Sequence, residues 1–275
     1  MTAEIFFPTI LFLCMAILHI LRQKEIHAKN NFSAAKYEIG AASTLGTREI
    51  QQDYFGVKEN QEAILMLLAD GTGTEGEIAA KLTIDTFRDL FNDTNAVEKP
   101  QYFFRRAANA ANKKITNTLE ERQGETSLAA VMLKGSKFFY TVVGNCRITV
   151  FRKGDLIPVS EGQTVDILAR HGYNEGKISK QETLKLLDNH RRYNVLGKDS
   201  FEEIEIYDKP LELQPKDLIV IMSEGIFNTL RWVEIENILE KKVSVQSLAD
   251  EIIAKVNDSP MVDKSNATVL ICRQA

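Results

Sequence analysis

The stretch from Ala63 to Thr74, AILMLLADGTGT, limits the possible folds more than any other part of the chain. An apolar run from Ala63 to Ala69 stops abruptly at Asp70-Gly71, and a second glycine follows at Gly73. A run of this length bounded by glycine reads as a buried strand. An acid at its end places a carboxylate at the rim of a core. The glycine beside it lets the backbone approach a ligand closely, so that its carbonyl can also bind. Taken alone, the stretch fits a strand-to-helix turn with Asp70 as a local cap equally well.

The rest of the chain supplies the partners such a strand needs. Lys36 to Leu45 and Tyr54 to Lys58 read as strands. Gly76 to Phe91 places Ile78, Ala79, Leu82, Ile84 and Phe87 at helical spacing, and Pro100 opens a longer helix that runs to Leu119. The period then changes. Ser127 to Lys134, Lys137 to Gly144 and Cys146 to Arg152 are short, rich in β-branched and aromatic residues, and separated by glycine turns, the pattern of an antiparallel meander. Val165 to Arg170 and Ser179 to Leu187 read as short helices and Glu202 to Ile206 as a strand. Asp217 to Met222 is a buried strand, Val233 to Leu239 and Val245 to Val256 are helices, and Thr268 to Arg273 is the last strand. Clustered hairpins around two long helices predict an α+β fold in which two stacked antiparallel β-sheets are flanked by helices, not a doubly wound parallel sheet.

Ahead of this domain lies Ile5 to Leu21, about 17 residues without a charge, the short end of a membrane span. Arg22, Lys24 and Lys29 follow it, and the stretch before it, Met-Thr-Ala-Glu, is not the basic start of a cleaved leader. The expectation is an N-terminal transmembrane helix over residues 1–22, a juxtamembrane linker over 23–35, and a domain over 36–275 in the cytoplasm, making a single-pass membrane protein. A net charge of −4 leaves no basic face for a nucleic acid. Cys14, Cys146 and Cys272 are too scattered for a disulfide framework or a zinc site.

Two apolar strands end in acid-glycine, at Asp70-Gly71 and Glu224-Gly225, and Asp53 lies shortly before the first of them. Carboxylates at strand ends together with a glycine carbonyl are hard oxygen ligands that suit Mg²⁺ or Mn²⁺ better than Zn²⁺. Two such ions clamp a phosphate for in-line attack by water, and an arginine can grip the phosphate as a fork. Acid-glycine pairs are also common in surface turns. His171, before Gly172, reads as a helix-end residue, and His190-Arg191-Arg192 as a solvated edge able to help dock an acidic phosphopeptide.

The order of these pieces resembles the metal-dependent serine/threonine protein phosphatases, the PPM or type 2C family, and its bacterial members most. The resemblance runs from about Lys36 to Arg273. Gly46-Thr-Arg48-Glu-Ile-Gln51-Gln52-Asp53 looks like the family's G-x-R-x-x-N-Q-D, and Ala69-Asp70-Gly71-Thr72-Gly73 like A-D-G-M-G. Gly76-Glu77-Ile78-Ala79 looks like G-E-x-A, and Glu125-Thr126-Ser127 stands where the family has G-T-T. Val143-Gly144-Asn145-Cys146-Arg147 is similar to V-G-D-S-R, Met222-Ser223-Glu224-Gly225 to the S-D-G strand end, and Asp263-Lys-Ser265-Asn266-Ala-Thr-Val269 to the final D-N-x-T-V. The resemblance implies that Asp53, Asp70 and the Gly71 carbonyl ligate metal, that Arg48 contacts the substrate phosphate, and that Glu224 stands at a metal-binding aspartate.

Gln51 stands where the family has an asparagine, and three further departures bear on the charge. Glu224 is one methylene longer than the family residue, Ser265 is neutral where the family has an aspartate, and Asn145 replaces another. One ion site thus keeps its carboxylates while the second loses about half its anionic shell, unless Asp263 reaches in. Two readings follow from the resemblance. One is a membrane-anchored phosphatase that hydrolyses phosphoserine and phosphothreonine in proteins by metal-activated water, opposite a serine/threonine kinase. The other is a pseudophosphatase, an inactive module that binds a phosphoprotein or another signalling partner. No P-loop or kinase signature points to a different phosphate-handling class.

Overall fold

The computed structural model describes residues 37–92, 95–199, 201, 204–206 and 209–274. The expected membrane helix and linker lie outside these residues. Among the described residues no helix is long and apolar enough to cross a membrane.

Two antiparallel sheets stack face to face. The first has the order β1 (Tyr37–Thr44), β11 (Ala267–Gln274), β10 (Leu218–Met222), β6 (Arg147–Arg152), β7 (Asp155–Pro158). The second has the order β2 (Asp53–Glu59), β3 (Ile64–Thr72), β4 (Glu125–Lys134), β5 (Lys137–Val143), β8 (Glu205–Ile206), with β9 (Leu211–Glu212) also paired to β5. Between the sheets Met66, Leu68, Val131 and Val142 meet Ile148, Ile219, Ile221 and Leu270. On the outer face of the second sheet Leu65 and Leu67 pack with Ile84 of α1 (Gly76–Leu90) and Phe104 of α3 (Pro100–Leu119). A one-turn helix, α2 (Asn95–Glu98), precedes α3. On the outer face of the first sheet Val220 and Val269 pack with Leu248 and Ile252 of α8 (Val245–Asn257).

The result is a helix–sheet–sheet–helix sandwich, as the α+β pattern predicts. It also explains why β3 is apolar without alternation. Successive side chains on a strand point to opposite faces, and here both faces are buried, one by the first sheet and one by helices. The same parity turns Asp70 to the side of Met66 and Leu68, between the sheets, at the strand's end.

Several boundaries differ from the sequence expectation. Asp53 is the first residue of β2, not a loop residue before it. Strands β7 and β9 form from segments whose side chains carry little period-2 signal, and cross-strand pairing with β6 and β5 recruits them. The helix after Thr164, α4 (Val165–Asn174), runs through His171 and Gly172. It is followed by α5 (Lys180–Leu186), which opens with a Ser179–Glu182 capping box. Glu224 opens a short helix, α6 (Glu224–Thr229), and α7 (Trp232–Leu239) follows it. Cys146 and Cys272 are free and buried.

Candidate active site

The strand ends that carry the family-like motifs meet at one edge of the sandwich. Asp53 and Asp70 are directly opposite each other in the β2/β3 ladder. Asp53 is 6% exposed and Asp70 9%. Two carboxylates so placed repel each other and resist desolvation, and both hold their protons well above the ordinary range. Burial chiefly raises Asp70 from 3.8 to about 8, with the Asp53 charge next and the Arg192 guanidinium opposing. Burial likewise raises Asp53 to about 6, opposed by the nearby Thr268 and Ser223 hydroxyls and helped by the Glu224 charge.

The neighbours are fixed by hydrogen bonds that cross from one sheet to the other. Ser223 Oγ donates to Asp53 Oδ2 at 2.8 Å and accepts from the Thr268 N–H at 2.8 Å. The Glu224 N–H, at the start of α6, donates to Asp70 Oδ2 at 3.1 Å. Asp53 Oδ1 is buried with no hydrogen-bond partner among the described residues.

Two glycines allow this approach. A Cβ at Gly71 would lie 2.2 Å from the Gly76 carbonyl oxygen, and one at Gly225 would lie 2.1 Å from that of Asn266. Asn266 also ties down the loop that carries Arg48. Its Oδ1 accepts from the Gln52 N–H, and its Nδ2 donates to the Leu45 and Ile50 carbonyls. Gln51 holds the same loop by accepting from the Asp53 N–H and donating to the Thr44 carbonyl.

Above these acids opens a cavity of about 310 Å³ lined by Arg48, Asp70, Gly71, Arg192, Glu224 and Ser265, among others. The sequence reading missed Arg192 as a member of the site. It comes from the segment after α5, bridges antiparallel to Thr164, and donates to Thr72 Oγ1 and to Ser127 Oγ. The only hint in sequence was its place in a basic cluster.

Not every candidate converges here. Asn145 is buried in the β5–β6 turn, where its N–H donates to Ser127 Oγ, and it does not line the cavity. Asp263 is 74% exposed, pairs with Arg48 at 3.1 Å, and does not line the cavity either. The Glu224 carboxylate turns back along α6 to accept from Asn228 Nδ2 at 3.0 Å. Among the described residues no three His, Cys, Asp or Glu side chains stand close enough together to form a metal cluster.

The donors that do converge fit a hard divalent ion. They are oxygen donors, one of their buried oxygens lacks a partner, and the two paired carboxylates are each destabilised for want of positive charge. Two arginines beside paired buried acids make a site able to hold such a cation and a phosphate together.

Comparison with known proteins agrees with this class. The family profile of protein phosphatase 2C matches residues 42–261. The serine/threonine phosphatase stp of Listeria welshimeri is 28% identical over 239 residues, 82% of this chain and 90% of its own length. The serine/threonine phosphatase of S. agalactiae superposes with a TM-score of 0.76 at 21% identity, covering 87% of this chain and all of that one. The catalytic domain of the serine/threonine protein phosphatase PstP, solved with two manganese ions, superposes at 0.66 with 21% identity, covering 86% of this chain and 98% of that one. The chain belongs to the protein phosphatase 2C family.

Proposed function

We propose that this protein is a phosphatase of protein phosphoserine and phosphothreonine, held at the membrane by residues 1–22 with its catalytic domain in the cytoplasm, where it reverses a serine/threonine kinase. The observation that carries the reading is the cavity that brings Arg48 and Arg192 to Asp70, with Asp53 buried opposite Asp70 in the adjoining strand. Asp53, Asp70 and the Gly71 carbonyl would hold Mg²⁺ or Mn²⁺, and Glu224 stands where a second ion would need a ligand. The ion would supply Lewis acidity that makes water nucleophilic near neutral pH and offsets phosphate charge.

The chain's own groups divide the remaining work. Arg48 and Arg192 bind the phosphate oxygens and orient the ester. Ser223 fixes Asp53 in one rotamer. Asn266 keeps the Arg48 loop in place. Before Arg48 can grip a phosphate it must leave Asp263, an exposed pairing that costs about 0–1 kcal/mol to break.

A second reading, a binding module without turnover, is favoured by the neutral Ser265 in the cavity and by the Glu224 carboxylate being turned to Asn228. Hydrolysis of a phosphoserine peptide by the chain from residue 34 onward, with Mn²⁺ or Mg²⁺ and an Asp70→Asn control, separates the two. Turnover in the wild type alone supports the phosphatase. Equal turnover in both marks contamination, and none in either, with no metal uptake by calorimetry, leaves the binding module. A reporter fused after Lys29 that reads out on the far side of the membrane would overturn the topology.

A further inference from the structure

A second cavity is larger than the one above the paired acids. It measures about 960 Å³ and lies between α4–α5 and the β5/β8 edge of the second sheet. Its wall is mostly apolar, from Val159, Leu168, Ile178, Leu186 and Tyr193 among others. Leu168 is 52% exposed and Tyr193 43%, so these large apolar groups open to solvent at the groove and are not sealed in a core.

Three acids stand in this apolar wall: Glu161, Glu175 and Glu205. Two have close nitrogen partners. Glu161 meets His171 Nε2 at 2.9 Å, and Glu175 meets Lys177 at 2.6 Å. Glu205 is different. Its backbone carbonyl accepts from Thr141 Oγ1, and the side chain nearest to offsetting its carboxylate is His171, which is already engaged by Glu161. Burial, with the Glu161 charge second, pushes this carboxyl up to about 7. A half-buried acid beside another acid, in an apolar groove, is a cost that a cation in the groove would remove.

The groove also has a fixed relation to the catalytic cavity. Arg192 lines the cavity above Asp70, and the next residue, Tyr193, lines this groove. The two openings therefore flank a single extended segment, which is bridged to Thr164 ahead of α4. A peptide placed with its phosphate at Arg192 would have to cross this one segment to lay a neighbouring side chain into the groove.

We propose that this groove is a specificity subsite that takes a lysine or arginine side chain of the phosphoprotein, flanked by apolar residues, with Glu205 as its counter-charge. The aliphatic stem would cover Leu168 and Ile178 while the charged head meets Glu205 and Glu161, the division that long basic side chains adopt at amphipathic surfaces. This rests on the phosphatase reading above and narrows its substrates to phosphosites near a basic residue.

The test uses the full chain with Mn²⁺ and a set of otherwise neutral phosphoserine peptides in which one lysine is scanned through the flanking positions, each paired with a glutamine version. At the favoured position the ratio of kcat/KM for lysine over glutamine is expected to be about tenfold, carried by KM, and to fall to near one in Glu205→Gln. Because each ratio is taken within one protein, a general loss of activity in the variant does not disturb it. A wild-type ratio near one at every position, or a ratio that survives Glu205→Gln, overturns the subsite. If the wild type hydrolyses no peptide, the phosphatase reading fails and the groove is read by fluorescence anisotropy of the labelled, unphosphorylated lysine peptide. Binding that needs Glu205 supports the groove, and equal binding by wild type and Glu205→Gln rejects it.

Discussion

The two halves of the candidate site come from different sheets and are built to different degrees. The half at the ends of β2 and β3 has its charge and its scaffold together, with Asp53 and Asp70 buried opposite each other and Gly71 held by its N–H to the Gln52 carbonyl. The half at the ends of β10 and β11 keeps its scaffold. Ser223 bridges Asp53 to Thr268, Gly225 allows Asn266 to approach, and Asn266 clamps the Arg48 loop. This half brings little charge to the cavity, because Glu224 hydrogen-bonds along α6 and Ser265 is neutral. The parts that hold the backbone and the parts that hold an ion are separable. The first are required by packing whatever the chemistry, whereas the second can change without the fold noticing.

The comparison can be broken in stages. Asp70→Asn should lower phosphopeptide hydrolysis by on the order of 10²–10³-fold, the usual cost of losing a group that stabilises transition-state charge. The same substitution should raise the melting temperature in chelator at pH 9, because it removes a buried charge from a repelling pair. A fall in both would mean that Asp70 serves the fold more than the site.

Next comes the pH dependence of the metal-free protein. In the unfolded chain these carboxyls ionise near 3.8, whereas in the folded chain Asp53 does so at about 6 and Asp70 at about 8. Between these limits the folded state keeps protons that the unfolded state has lost. Stability should therefore fall as pH rises above about 4, the Asp53 contribution to the loss ending near pH 6 and the Asp70 contribution near pH 8. Mn²⁺ should abolish the loss. Urea titrations across this range with and without chelator measure it, and a flat profile would break the assignment of the intact half.

Gly71→Ala and Gly225→Ala probe the scaffold in each half. Each new methyl meets a backbone oxygen, so each should destabilise the protein by about 1–3 kcal/mol. If only Gly71→Ala does so, the second half is looser than its hydrogen bonds imply.

Smaller still is the effect of adding charge. Glu224→Asp with Ser265→Asp should tighten binding of a second Mn²⁺ about tenfold, roughly 1.4 kcal/mol, by calorimetry, and raise hydrolysis with it. No gain would mean that the second half is limited by something other than its acids. Asp263→Asn should leave stability within about 0.5 kcal/mol, since the pair it forms with Arg48 is exposed. A larger loss in thermal melting would give Asp263 a structural role.

The first half was legible because its signal is local. An apolar run that is buried on both faces shows no alternation, and the acid-glycine that ends it marks where burial stops. The layered fold was legible for the same reason, through the change of period from helix to hairpin. Arg192 was not, because it reaches Thr72 from 120 residues away, through a bridge that only the fold creates. The orientation of Glu224 was hidden because a six-residue helix gives its sequence too few turns to show a period. The partner of Asp263 depended on how two loops cross, and neither loop carries a pattern.

The pairing of β1 with β11 has a mechanical consequence. Tyr37 lies opposite Gln274 at one end of this ladder and Thr44 opposite Ala267 at the other, from which the Arg48 loop and Asn266 continue. Eight residues of strand span about 27 Å. The pair is thus a strut, which enters the domain at its foot and presents the cavity at its head. Anything tethered through residue 36 would be held at arm's length from the phosphate it is meant to meet, and shortening β1 by two residues on each strand would draw the cavity about 7 Å closer to that tether.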